Sequence, residues 1–158
     1  MALKGDRFEG EHDIKHFMNE VAEKGGIATL STAGSGAGLD QSAMLVTYAA
    51  SPSGKTPVGV LLTDMVNRDL TKTHLNQHKN ETQKGGKVPL LRKGWVTTNM
   101  IYPNQSPAGG DKAYVANSGY FTNVGPNTTN AGRYVGEFET SKDEDGYAVV
   151  YVNLPNNG

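Results

Sequence analysis

The chain has 158 residues, enough for one domain with its own buried core, and it contains no cysteine. Disulfides, zinc–thiolate sites and a cysteine nucleophile are therefore excluded. Fifteen Lys and Arg stand against sixteen Asp and Glu, a formal net charge of -1. Such a balance lacks the basic footprint that neutralises phosphates, so no direct nucleic-acid partner is expected.

No run approaches the roughly 18 apolar residues of a membrane span, so no membrane partner is expected. The opening MALKGDRFEG holds no signal-length apolar stretch. A soluble chain made in a reducing cytoplasm is the expectation. Twenty glycines and seven prolines punctuate short apolar segments without a three-residue period. That is the pattern of an all-β chain with many turns.

Residues 1–22 read as an N-terminal arm and 23–158 as a single domain. Within the arm, HDIKHFMNEVAEKGG places Ile14, Phe17, Met18 and Val21 at i, i+3, i+4 and i+7 before a glycine pair. One reading is a short amphipathic helix; a loop or a strand through IKHFM is the other. From Ile27 the period changes to that of strands. IATLST is followed by the loop AGSGAGLDQS, and then AMLVTYAA and VGVLLTDMV flank the turn SPSGKTP. A polar insertion near 67–86 interrupts the pattern. Beyond it come KVPLL, GWVTTNMI, KAYVA, GYFTN, RYVGEF and YAVVYVNL. The last is apolar on both faces, so it belongs centrally in a sheet. About nine such strands make a barrel or sandwich.

The motifs with chemical associations fail on context. Gly54-Lys55-Thr56 lacks the earlier glycine of a phosphate loop and runs into Pro57 and a strand. GSGAGL has Leu39 where a dinucleotide loop ends in glycine. His12/His16 and His74/His78 are four apart, a metal-compatible spacing on a helix. Neither pair carries the glutamate of a zinc-protease motif, and solvated histidines are expected instead. SKDEDG would put Ser141 first and Val152 at the closing glutamate of a calcium loop, so Asp145-Gly146 is read as a hairpin turn. The sequons at Asn80, Asn104 and Asn127 have no secretory context. No nucleophile elbow appears. No catalytic residue, metal or cofactor is assigned, and no enzyme is expected.

Two surfaces remain as candidates for association. Phe8, Ile14, Phe17 and Met18 lie among charges in the arm and would suit contact with a larger surface. Trp95 opens GWVTTNMI, where core packing is the plainer reading. With Tyr102, Tyr114 and Tyr120 it would instead form a subunit or ligand face.

Several phrases, read in order, carry a resemblance: AEKGGIATLST, PVGVLLTDMV, HKNETQKGGKVPLLRKGWV, PAGGDKAYVANSGYFTN and VGEFETSKDEDGYAVVYVNLP. Gly110, Asp111, Tyr114, Gly119 and Thr122 form one motif. Val135, Gly136, Phe138, Asp145, Gly146, Val150, Val152 and Leu154 form a closing hairpin motif. From about Ala22 to Pro155 the chain resembles the capsid decoration, or cement, proteins of tailed phages. The resemblance implies a β-barrel or β-tulip-like subunit on the outer surface of an icosahedral virion head, made in the host cytoplasm. It further implies the major capsid protein as partner, homo-oligomers with a trimer favoured, and an arm ordering against the shell. The role would be to stabilise the shell against packaged DNA. The alternative is a fibre-like or glycan-binding module using the aromatic face.

Overall fold

The computed structural model describes residues 10–31, 45–67, 81–125 and 131–154. They form eleven strands: β1 (Gly10–Met18), β2 (Ile27–Leu30), β3 (Leu45–Thr47), β4 (Pro57–Leu61), β5 (Asp64–Val66), β6 (Glu81–Gln83), β7 (Lys87–Thr98), β8 (Lys112–Ala116), β9 (Phe121–Thr122), β10 (Ala131–Phe138) and β11 (Ala148–Asn153). A 3₁₀ turn covers Asn117–Gly119. The chain is all-β.

The strands pair in the order β1-β3-β2-β4-β7-β11-β10-β8-β9, and β1 pairs with β7 as well. The first five therefore return on themselves as a partial ring, while the other four extend from β7 as a wing. The expected all-β class holds, and in place of a clear barrel the strands make a large sheet with a partial ring. Closure is slight, since β1 meets β3 only at Phe17↔Leu45 and Met18↔Val46. A separate parallel pair, β5 and β6, lies outside this sheet; β6 ends the 67–86 insertion, whose residues 68–80 fall outside the described residues.

The helix reading of the arm is overturned, because Gly10–Met18 runs antiparallel along β7 from Gly10↔Gly94 to Phe17↔Lys87. A register shift between Asp13 and His16 inserts an extra residue there, which imitates helical spacing in the sequence. Ile14 and Val21 are exposed, whereas Met18 is fully buried, so the four residues share no single face. Met18 belongs to the core, unlike the exposed Ile14.

Two hydrophobic clusters explain the continuous apolar runs. Met18, Val46, Leu61, Val88 and Leu90 fill the ring. Ile27, Val60 and Leu91, on neighbouring positions of the same strands, instead join Val96, Phe121, Phe138 and Val150 of the wing. Successive side chains of a strand point to opposite faces, so β2, β4 and the first half of β7 are buried on both sides. The wing's inner face packs on the outside of the ring. There Phe121 and Phe138 meet edge to face, with centroids 6.5 Å apart.

Polar contacts fasten ring to wing. The Thr98 hydroxyl donates to the Gly25 carbonyl (2.9 Å) and Ser118 N–H to the Ala49 carbonyl (2.7 Å). Tyr48 is the centre of this joint. Its hydroxyl accepts from Gly26 N–H (3.0 Å) and donates to the Glu23 carbonyl (2.6 Å). Glu20 accepts from Tyr48 N–H and from the Thr47 hydroxyl. Burial pushes the Tyr48 phenol far above its ordinary value, so it stays a neutral donor. Gly119 sits at φ +82 against this ring, and a Cβ there would approach the Tyr48 ring carbons to 2.8 Å.

Tyr48→Phe removes both hydroxyl bonds and leaves the buried Gly26 N–H unpaired. The variant should lose about 1–3 kcal/mol of stability, read as a lower midpoint in urea unfolding. An unchanged midpoint would show that the 20–26 loop is held by something else.

Candidate functional site

The outer face of the wing gathers the aromatic residues that the core does not take. β11 pairs with β7 from Ala148↔Thr98 to Asn153↔Lys93, so Tyr151 lies directly opposite Trp95. Their rings are 4.9 Å apart and tilted by 51°. Glu137 lies opposite Tyr151 on one side and Lys112 on the other. Next, the Lys112 ammonium sits 6.0 Å from the centre of the Tyr134 ring, within cation–π range. Tyr134 in turn meets Tyr114 edge to face at 6.0 Å. Trp95, Tyr151, Glu137, Lys112, Tyr134 and Tyr114 thus form one row across β7, β11, β10 and β8.

A bulge makes this row continuous. The register of β10 on β8 shifts between Tyr134 and Gly136. Val135 and Gly136 are both buried, and the extra residue turns Tyr134 outward. Only glycine suits position 136, since a Cβ there would collide with the Tyr151 carbonyl. Burial, with Glu137 and Tyr114 nearby, pushes the Tyr134 phenol above its ordinary value and keeps it protonated.

The expected face of Trp95, Tyr102, Tyr114 and Tyr120 is therefore split. Trp95 (48% exposed) and Tyr114 belong to the row. Tyr102 and Tyr120 form a separate edge-to-face pair at 6.4 Å beside β9. Sequence reasoning missed Tyr151 and Tyr134. Alternation in YAVVYVNL could have placed Tyr151 opposite the buried valines, whereas the bulge hides Tyr134 from any period-two reading. Of the arm residues, Ile14 is 69% exposed and Phe17 half-buried under Lys87, whose ammonium is 5.7 Å from its ring centre. Phe8 lies outside the described residues.

The chemically suggestive groups have structural uses. Asp143 accepts from the N–H groups of Asp145 and Tyr147 (2.9 Å each), which ties the DEDG turn together. His12 is exposed and His16 buried, on a strand rather than a helix; the His74/His78 pair lies outside the described residues. Among the described residues no group of three or more His, Asp or Glu could hold a metal ion.

The two motifs meet at one corner. Gly110 N–H donates to the Phe138 carbonyl (2.7 Å), and Phe138 N–H to the Asp111 carbonyl (2.8 Å). The Asp111 carboxylate accepts from Ala108 N–H (2.9 Å) and from the Asn123 amide (3.2 Å). These two donors hold its carboxyl below the ordinary value of 3.8. Thr122, opposite Tyr114 in the β8–β9 pair, donates its hydroxyl to Gln105. Val135, Phe138, Val150, Val152 and Leu154 are all core.

Because the folded Asp111 carboxyl binds its proton less readily than the unfolded one, its contribution is present above pH 3.8 and lost as pH falls through the folded value. Amide exchange at Ala108 should accelerate in that acid range in the wild type, and this phase should be absent in Asp111→Asn. An identical acid phase in both would assign it to another carboxylate.

Residues 3–153 match the family model described as structural cement protein (E217 gp24/Pam3 gp6). A search of the curated proteins returned no match.

Proposed function

We propose that this chain, which belongs to the phage structural cement protein family, binds the major capsid protein on the outer surface of an icosahedral head and stabilises the shell against the pressure of packaged DNA. Membership supports a structural, capsid-stabilising role in the virion. The match over residues 3–153 is the observation that carries this reading. The physical logic is linkage. A subunit that binds only the assembled shell shifts the equilibrium toward assembly, by an amount set by its free concentration and affinity. No reactive group is needed for that work.

The wing's outer row is the proposed contact face. Tyr and Trp offer large, stiff, amphipathic area, and Lys112 and Glu137 supply charges of both signs between them. Ile14 and Phe17 on β1 form a second proposed contact toward the shell. Copies of the chain would associate, most simply as a trimer at a local symmetry axis.

The test uses heads assembled without this protein, to which purified chain is added back. Wild-type chain should bind in a fixed simple ratio to the major capsid protein and raise the temperature at which the heads release DNA. Trp95→Ala with Tyr151→Ala should fold as wild type but bind at least tenfold more weakly. Full binding by this double variant would remove the wing face and leave Ile14 and Phe17. Failure of wild-type chain to bind heads would overturn the decoration role itself. A change in tryptophan fluorescence with a polysaccharide would then favour the glycan-binding alternative.

A further inference from the structure

The β1–β7 seam of the ring holds a buried ionisable cluster with no part in either contact face. Asp13 and His16 lie on β1 at the register shift, and Arg92 lies on β7. Arg92 donates through Nη1 to Asp13 Oδ2 at 3.1 Å, and Lys15 N–H donates to Asp13 Oδ1 at 2.9 Å. The Lys15 ammonium is 3.8 Å from Asp13 Oδ2. His16 is 5% exposed, and its Nδ1 stands 3.4 Å from Asp13 Oδ1 without forming a hydrogen bond. A buried ring nitrogen left unpaired is costly, and the bulge that turns both Asp13 and His16 inward imposes it.

We infer that the β1–β7 seam is an acid-sensitive latch, in which protonation of His16 overloads the cluster with positive charge and releases β1 from β7. The charge count is the reason. One carboxylate, Asp13, already serves two cations, Arg92 and Lys15, and an imidazolium would be a third inside the wall of the ring. Among the described residues, Asp13 is the one anion that favours its protonation. β2, β3 and β4 carry no titratable side chain. Asp64 of β5 is engaged by Lys24 N–H (2.9 Å), and Lys87 of β7 lies over Phe17. The remaining charged groups on these elements are Glu11 and His12 on β1, Glu81 on β6 and Lys93 on β7, where Glu11 lies opposite Lys93.

Burial is the largest influence on His16 and lowers its affinity for a proton. Asp13 opposes this, while Lys15 and Arg92 reinforce it, and the net displacement is downward from 6.5. The folded chain therefore keeps a neutral imidazole where the unfolded chain takes a proton. The seam's stability is complete above pH 6.5 and declines as pH falls from there through the folded value. Asp13 itself is held below 3.8: against the upward push of burial, the Lys15 N–H, Arg92, His16 and the Lys15 charge prevail. Its own loss belongs to a separate, lower window. The inference concerns the free chain and does not depend on what the chain binds.

Amide hydrogen exchange of the full chain between pH 7.5 and 5.5, corrected for intrinsic rates, tests the latch together with an NMR titration of the imidazoles. The His16 signal, identified by its loss in His16→Gln, should titrate below 6.5. Amides of Val88 and Leu90, opposite His16 and Asp13, should lose protection by up to about tenfold per pH unit below 6.5, while the β10–β11 pairs keep theirs. His16→Gln should flatten that pH dependence. If that variant does not fold, Arg92→Gln supplies the signal: with one cation removed, His16 should titrate at higher pH. Three results would each overturn the latch: His16 titrating at or above 6.5 in the wild type, seam protection constant from pH 7.5 to 5.5, or equal loosening of the wing.

Discussion

Everything in this fold depends on one strand having both its edges occupied. β7 is twelve residues long, and every N–H and C=O along it must find a partner or face water. β1 takes one edge as far as Gly94, while on the other edge β4 covers Leu90 and Leu91 before β11 takes over from Lys93 to Thr98. The hand-over from β4 to β11 is where ring becomes wing. Leu154 N–H, donating to the Arg92 carbonyl at 2.8 Å, completes it. One backbone therefore runs through both parts, with β1 on one edge and β4 and then β11 on the other.

That shared strand also dictates the packing. Leu90 faces the ring interior and Leu91 the wing, and Ala28 and Ile27 divide the same way on β2. The layer they form is buried on both sides, so among the described residues polar chemistry gathers at the outer row, the turns, the Tyr48 joint and the seam. At the turns the polar groups are consumed by backbone, as with Asp111 and Asp143. On the outer row they stay available beside large aromatic rings. A stiff sheet holding such a row keeps its side chains ordered before any partner arrives, which lowers the ordering cost of association.

Much of this was legible in the sequence, and the exceptions have physical causes. The short strands from IATL to AVVYVN follow apolar alternation between turn residues, and the hairpin around Asp145-Gly146 was marked by its turn chemistry. KVPLL and GWVTTNMI read as two runs because Arg92, Lys93 and Gly94 look like a turn. They are one strand because Arg92 is taken up by Asp13 of β1 and Gly10 lets β1 approach Lys93 closely. The arm read equally well as helix or strand, since an inserted residue gives strand positions a helical spacing. Tyr134 was invisible for the same reason. Bulges defeat periodicity: the shift between Asp13 and His16 sets the seam, and the one between Tyr134 and Gly136 sets Tyr134 on the outer row.

The residues that make the family recognisable are, with one exception, not those on the outer row. Val135, Phe138, Val150, Val152 and Leu154 fill the core, while Asp111, Asp145 and Gly146 shape turns. Tyr114 alone belongs to both sets, as the far end of the row and the cross-strand neighbour of Thr122. A pattern of this kind identifies a scaffold, because core positions call for apolar side chains of matching volume and turns for particular residue types. The exposed row is under no such constraint: Trp95 or Tyr151 could change without disturbing a core side chain. Scaffold and the proposed contact face are therefore separable in this protein, and the second has to be read from which side chains the sheet leaves outside.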